Sequence, residues 1–304
     1  MVLFADDTNI FAQGRDPAEL FGRVNRGLGE LSRWFRCNRL TLNLKKTEYV
    51  YFSGPGGHAG PPEAGLRIGD EPVRRVEGAR FLGVWVDEGL TWTGHIEKVC
   101  TKVGQLLGVL WKVGPVLGGR LLLSLYNGLV LPHLQYCLMV WGDFRQGRNG
   151  VLGGSLLTYQ GKFAGLVAGK RGRYHVTPLL GEYGMLKVGD LYRQQLRVHA
   201  WRFWNGKLPE NQAAMLRRAA DVHRYGTRSA RVGLYLSTRD HRSVGYRVPE
   251  EWASLPEGQR EVGSLARFKR ESREGFLGQY RGSVCDGRGC FVCGSDGGRG
   301  GTGA

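Results

Sequence analysis

Acidic residues are in short supply: 27 Asp and Glu face 43 Lys and Arg over 304 residues, leaving a formal charge of +16 and a pI near 9.9. That balance excludes an acidic solvating chain and makes a polyanion, nucleic acid or an anionic membrane surface, the first partner to consider. Cysteine is scarce too, with six residues, three of them among the last twenty. A secreted disulfide scaffold would need a denser set, so a reducing, intracellular compartment, nuclear or cytoplasmic, is expected. The first charge follows five residues after the start (Met1 to Ala5, then Asp6), which leaves no room for a signal peptide. Long hydrophobic runs are missing. The most apolar stretch, Leu117 to Trp141, holds Arg120, Asn127, Pro132, His133 and Gln135, each costly in hydrocarbon, so a buried helix is expected rather than a membrane span. No internal repeat is found, and the 49 glycines follow no period of three, which rules out collagen.

With 41% hydrophobic residues the chain can build a core, and its length suits about two domains. Val2-Leu3-Phe4-Ala5 and Asn9-Ile10-Phe11-Ala12 flank Asp6-Asp7-Thr8, predicting a hairpin with acids at its tip. Asp16-Pro17-Ala18-Glu19 joins an N-cap, a first-turn proline and an acid three residues on; Leu20, Val24, Leu28, Leu31 and Phe35 then recur at helical spacing, predicting a helix over 17–36. Leu40 to Leu44 alternates, Tyr49 to Phe52 is β-prone, Leu66 to Val73 reads as a hairpin turning at Gly69-Asp70, and Phe81 to Asp87 reads as a strand. Beyond residue 94 the period becomes helical, with Ile96, Val99, Val103, Leu106 and Leu110 on one face. Gly104 and Gly108 fall inside that helix, each at a cost of about 1 kcal/mol relative to Ala, and such a glycine load suggests relaxed constraint or a GC-rich genome rather than a functional device.

Two adjacent carboxylates at an apolar hairpin tip exceed what a turn needs. Hard oxygen donors suit Mg²⁺, and a pair of such ions about 3.5–4 Å apart stabilises both oxygens of an in-line nucleotidyl transfer. A solvated acidic turn is the alternative reading of Asp6 and Asp7.

In context, Phe4-Ala5-Asp6-Asp7, the following helix, Asn43-Leu44-Lys45-Lys46-Thr47 and Phe81-Leu82-Gly83-Val84 resemble the palm of reverse transcriptases, in particular those of non-LTR (LINE-type, jockey-like) retrotransposons. The likeness continues through Leu125 to Pro132, Tyr136-Cys137, Val140-Trp141-Gly142 and His223 to Arg228. It implies an α+β chain: a partial palm of antiparallel hairpins plus a helix over 1–90, a helical thumb-like region over 94–205, a basic, irregular extension over 206–282, and a Cys/Gly-rich, disordered tail over 283–304. It implies RNA-directed DNA synthesis as the family activity, with RNA template and DNA primer as partners and Mg²⁺, or Mn²⁺, as cofactor. Asp6 and Asp7 would be catalytic metal ligands. Lys46, or else Lys45, would serve the pyrophosphate leaving group; Phe81, Leu82 and Gly83 would form the primer grip. A further catalytic aspartate and the fingers would lie upstream of the acidic hairpin, so this chain alone is expected to bind nucleic acid without synthesising DNA. A non-catalytic remnant, or one co-opted as an interaction module, is the alternative.

Basic clusters at Lys170 to Arg173, Arg217-Arg218, Arg224 to Arg231, Arg239 to Arg247 and Arg267 to Arg273 interleave with Tyr174, Trp201, Phe203, Trp204, Tyr225 and Tyr246, a mixture suited to phosphate contact and base stacking. Cys285, Cys290 and Cys293 resemble part of a zinc knuckle, but a structural zinc needs four ligands and no His or Cys follows Cys293, so bound zinc is not expected.

Overall fold

A computed structural model describes residues 2–4, 7–53, 60–63, 65–144, 147–170, 172–222, 233–238, 240–241 and 243–282. The chain divides into two compact units, residues 1–95 and 96–304.

The described residues of the first unit form four two-stranded sheets and one helix. Strands β1 (Val2–Phe4) and β2 (Asp7–Asn9) pair antiparallel with Phe4 opposite Asp7. Helix α1 (Pro17–Cys37) starts where the sequence signals it: the Asp16 carboxylate accepts from the Glu19 N–H at 2.8 Å. At its other end the Asn38 amide donates to the Trp34 carbonyl, 2.9 Å away. Phe21 buries one side of the helix edge-on against Tyr49 and Tyr51. Asn25 fastens α1 to the next hairpin by accepting from the Arg67 N–H at 2.9 Å and donating to the Gly65 carbonyl at 3.2 Å.

Strand β3 (Glu48–Tyr49) pairs with β6 (Arg74–Arg75) in parallel, unlike the antiparallel hairpins expected throughout this region. Between them β4 (Arg67–Ile68) and β5 (Glu71–Pro72) turn at Gly69, whose φ of +63° suits glycine. The run Phe81 to Asp87, read from sequence as one strand, is two: β7 (Gly78–Phe81) and β8 (Val84–Asp87) fold back at Leu82-Gly83. Both turn residues have positive φ, +45° and +88°, the geometry that matches the twist of a two-residue hairpin. Leu40 to Leu44 forms no strand, despite its alternation. Among the described residues of this unit, Phe21, Ile68 and Val84 are the buried hydrophobic side chains, so its described core is thin.

The second unit is helical. Helix α2 (Thr93–Val113), which begins just before it, buries Ile96, Val99, Val103, Leu107 and Leu110. Helix α3 (Gly119–Leu125) continues through a π-helical turn, Tyr126–Val130, into α4 (Leu131–Gln135). The cause lies in Pro132, which has no N–H to give and whose ring crowds the carbonyl four residues back; the Leu131 N–H reaches back five residues to the Tyr126 carbonyl. Leu122, Tyr126, Val130, Leu134 and Leu138 all face inward, so the apolar stretch expected to be a buried helix is buried on one face. Among the described residues no helix is long and apolar enough to cross a membrane.

Short helix α5 (Leu138–Trp141) leads to α6 (Gly147–Val167), α7 (Val176–Glu182) and α8 (Val188–Trp204). Gln160 of α6, fully buried, ties three segments together: its amide donates to the Tyr126 hydroxyl and the Leu186 carbonyl, and its oxygen accepts from the Val188 N–H at 2.8 Å.

The stretch 206–282, expected to be irregular, is largely helical where it is described. It contains α9 (Glu210–Ala213), α10 (Ala219–Val222), α11 (Val244–Ala253), α12 (Glu257–Arg260) and α13 (Leu265–Gly282). Helix α13 buries Phe268, Phe276, Leu277 and Tyr280 against α7 and α8. Helix α11 is clamped to α8 by Glu251, which accepts from Arg193 at 2.6 Å and from Arg197 at 2.9 Å.

Three glycines of α6, Gly153, Gly161 and Gly165, are packing devices, which relaxed constraint does not explain. A β-carbon on Gly161 would stand 2.8 Å from a methyl of Val176, and one on Gly153 would stand 2.7 Å from the Phe144 ring. One on Gly165 would overlap the Tyr174 ring. At Gly22, Gly29, Gly108, Gly154 and Gly275, by contrast, a β-carbon would meet open space.

Candidate active-site fragment and nucleic-acid surface

The acidic hairpin is closed by the Phe4–Asp7 pair, which sets the exposed Asp7 carboxylate at its tip. Asp6 lies outside the described residues. Just beyond β2, Phe11 meets Phe81 edge-on with ring centroids 5.8 Å apart, so the segment leaving the acidic hairpin touches the β7–β8 hairpin. Phe11 is a residue that sequence reasoning passed over; its place in the apolar run after the acids was the available signal.

Lys45 and Lys46 sit in a turn held by Asn43, whose side-chain oxygen accepts from the Lys46 N–H at 3.2 Å, and both lysine side chains are exposed. At the β7–β8 tip, Leu82 occupies a left-handed conformation that costs a residue with a β-carbon about 1 kcal/mol. The base of this hairpin is fixed on both sides. The Trp85 N–H donates to Nδ1 of buried His95 at 3.2 Å, and the Asp87 carboxylate accepts from the Thr91 and Trp92 N–H groups, each at 2.9 Å.

Among the described residues no group of three His, Cys, Asp or Glu side chains gathers as a metal site. The described donors therefore do not amount to a magnesium site: Asp7 contributes one carboxylate and its neighbour Asp6 falls outside the description. Cys285, Cys290 and Cys293 also lie outside the described residues, as does the run His223 to Arg228. Of the other cysteines, Cys100 is buried with its thiol pushed up to about 11 by desolvation and then by Glu97, so it is an inert packing residue.

The expected base-stacking aromatics are mostly occupied elsewhere. Trp201 is fully buried and donates its indole N–H to the Val262 carbonyl at 2.6 Å. Tyr174 lies along α6, donating to the Gly161 carbonyl at 3.3 Å. Trp204 sits beneath Arg218 and beside Trp252, and Tyr246 stacks edge-on with His241. Tyr225 is outside the described residues.

Charge is distributed far less evenly than the residue totals suggest. Residues 1–95 hold 12 Lys and Arg and 12 Asp and Glu; residues 96–304 hold 31 and 15, and so carry the whole excess. Within that unit, residues 98–181 contain ten cations (Lys98, Lys102, Lys112, Arg120, Arg145, Arg148, Lys162, Lys170, Arg171 and Arg173) and a single acid, Asp143. Asp143 is held by the buried Arg247. On α2 the exposed positions Lys98, Thr101, Lys102, Gln105, Gly108, Val109 and Lys112 follow one another at helical spacing, a face with three cations and no acid. The acid gap was readable in the sequence as a run of 84 residues with one carboxylate; cation clusters drew attention instead.

Two curated proteins of Drosophila melanogaster are similar to this chain. The RNA-directed DNA polymerase from mobile element jockey is 23% identical over 147 residues, 46% of this chain and 15% of its own length. The probable RNA-directed DNA polymerase from transposon X-element is 26% identical over 149 residues, 47% of this chain and 16% of its own. The chain is a relative of non-LTR retrotransposon reverse transcriptases. The matched segments span less than a fifth of those reverse transcriptases. No family profile matches the chain. No solved structure matches it either.

Proposed function

We propose that this chain is a segment of a non-LTR retrotransposon reverse transcriptase whose own competence is to hold a primer–template, and that it does not synthesise DNA by itself. The observation that carries the reading is the similarity to two retroelement RNA-directed DNA polymerases in a chain whose acidic hairpin exposes Asp7 and whose next segment, at Phe11, touches Phe81 of the β7–β8 hairpin.

In this reading residues 1–90 are palm and the helices from 94 to 205 are thumb-like. Asp6 and Asp7 would supply part of the carboxylate set that holds magnesium when a larger polymerase transfers a nucleotide onto a primer 3′-oxygen. Magnesium would supply charge neutralisation at the attacking and leaving oxygens when bound. Because tip carboxylates on one hairpin leave most metal positions unfilled, the reaction needs a donor from another segment. The Leu82-Gly83 turn, rigid at its base through His95 and Asp87, positions the primer end, and Lys46 serves the departing pyrophosphate. Phosphate contacts come from the second unit, where positive charge is uncompensated.

The test is competition binding. A labelled RNA–DNA primer–template should be displaced poorly by heparin and well by a second RNA–DNA hybrid supplied at an equal concentration of negative charge. Displacement by heparin and hybrid alike would show a mere polyanion binder and defeat the assignment of a primer–template.

A further inference from the structure

The strongest convergence of unneutralised charge lies at one end of the helical unit, in two stretches distant in sequence, 112–120 and 170–173. Helices α2 and α6 run alongside each other in the same direction. The Cys100 thiol donates to the Leu152 carbonyl at 3.8 Å, a β-carbon on Gly104 would sit 3.3 Å from the Tyr159 hydroxyl, and one on Gly114 would sit 2.7 Å from a Leu166 methyl. The end of α2, with Lys112, therefore arrives beside the end of α6.

The chain then turns tightly, the Leu117 N–H donating to the Gly114 carbonyl at 3.1 Å, and starts α3 against the same place. A β-carbon on Gly119 would stand 2.5 Å from the Val167 carbonyl oxygen, so Arg120 follows at once beside the α6 terminus. Helix α6 itself ends with the Lys170 N–H donating to the Gly165 carbonyl at 2.9 Å. The loop that leaves it is pinned by Tyr174, whose ring lies in the space left by Gly165 and whose hydroxyl donates to the Gly161 carbonyl, so Arg173 is held to the same end.

Lys112, Arg120, Lys170 and Arg173 are all exposed, and among the described residues none has an ion pair. The one acid between residues 98 and 181 is engaged by Arg247.

We propose that this end of the helical unit is a phosphate-binding surface for a nucleic-acid backbone, with Lys112, Arg120, Lys170 and Arg173 as its contacts. The inference rests on the reading of the chain as a nucleic-acid-binding segment and assigns the place where it grips. Lone surface cations are ordinarily balanced by neighbouring carboxylates and contribute little. Four of them, drawn together by the close contacts at Gly104, Gly114, Gly119 and Gly165 and paired with no acid among the described residues, create a standing positive potential that a polyanion relieves. The surface continues along α2 through Lys102 to Lys98, 14 residues from Lys112 and thus about 21 Å, an extended track that suits a linear polymer of phosphates. Binding there is sequence-independent, since phosphate contacts position a nucleic acid and do not read it.

The experiment measures the affinity of the full chain for a 20-base-pair RNA–DNA hybrid by fluorescence anisotropy, from low to moderate salt. Parent, Lys112→Gln/Arg120→Gln/Lys170→Gln/Arg173→Gln, and a control with Arg26→Gln and Arg33→Gln, exposed on α1 in the charge-balanced unit, are compared. Each lost phosphate contact should lower the slope of log K against log salt by about 0.9, so the four-site variant should lose a slope of about 3–4 and at least tenfold in affinity, with the control unchanged. An unchanged slope in the four-site variant, or equal loss in the control, would overturn the site. Loss of slope with heparin and with the hybrid alike keeps this surface while defeating the primer–template reading. Absence of nucleic-acid binding, with binding to phosphatidylserine vesicles that needs the same four residues, would overturn the partner. Superimposable circular-dichroism melts separate these outcomes from misfolding.

Discussion

Replacing Gly165 with alanine adds a single methyl where the Tyr174 ring already lies. In an unobstructed helix the change would stabilise by about 1 kcal/mol through backbone propensity. Here the ring must move. Overpacking of this kind costs about 1–3 kcal/mol. Expelling a half-buried tyrosine ring forfeits part of the about 1.5–3 kcal/mol that burying an aromatic side chain provides. A weak hydrogen bond to Gly161 is lost as well, worth about 0.5–1 kcal/mol at its length of 3.3 Å. Against the gain in propensity, the net effect is a destabilisation of about 2 kcal/mol, or about 4–8 °C in Tm for a unit of this size. Tryptophan fluorescence during urea unfolding is the suitable assay, because Trp141, Trp201 and Trp252 of the helical unit are fully buried. The double variant Gly165→Ala/Tyr174→Ala should lose much less than the sum of the two single changes, since the clash disappears with the ring. A Gly165→Ala protein as stable as its parent would refute the view that these glycines are spaces kept for their neighbours.

Gly108→Ala, at an exposed position with open space, should raise stability by about 0.5–1 kcal/mol in the same unfolding assay. Leu82→Asn replaces a strained turn residue with one that tolerates positive φ and should stabilise the β7–β8 hairpin by about 1 kcal/mol, seen as slower amide exchange at Ala79 and Val86. Asp143→Asn leaves the Arg247 guanidinium buried with only Glu250, 3.6 Å away, to answer its charge, and should lower stability by about 2–3 kcal/mol. Burial, and then the nearby Arg202 charge, hold His199 below its ordinary value near 6.5. The unfolded chain therefore binds the proton more tightly, so stability is full above about 6.5 and falls as pH drops below it; His199→Gln should flatten that part of the profile.

The elements legible in the sequence were those with strong local chemistry. Asp16-Pro17 and the apolar spacing after it specify α1 almost to the residue, and Gly69-Asp70 specifies a turn. The β7–β8 turn was hidden because Leu82-Gly83 interrupts a β-prone run without any turn residue but glycine, and only the backbone path shows that Leu82 accepts positive φ. Helix α13 was obscured by its cations: Phe268, Phe276 and Tyr280 keep a helical spacing, yet Arg267, Lys269, Arg270 and Arg273 between them read as a charge run. The glycines of α6 misled for a different reason. Their value lies in Phe144, Tyr174 and Val176, which approach from outside the helix, and a helical propensity has no knowledge of a neighbour. The parallel pairing of β3 with β6 joins residues 26 apart and leaves no local trace. At the candidate site, the sequence offered the acidic tip and the β7–β8 residues, while the Phe11–Phe81 contact that links them is tertiary.

Primer extension tests the central claim most directly: purified chain, Mg²⁺, deoxynucleotides and an RNA template carrying an annealed DNA primer, run beside Asp6→Ala and Asp7→Ala variants. The account predicts that the primer–template is bound and the primer stays its original length with all three proteins. Template-dependent extension by the parent chain, abolished by Asp6→Ala, would show that the acidic hairpin completes an active site within this chain and would contradict it.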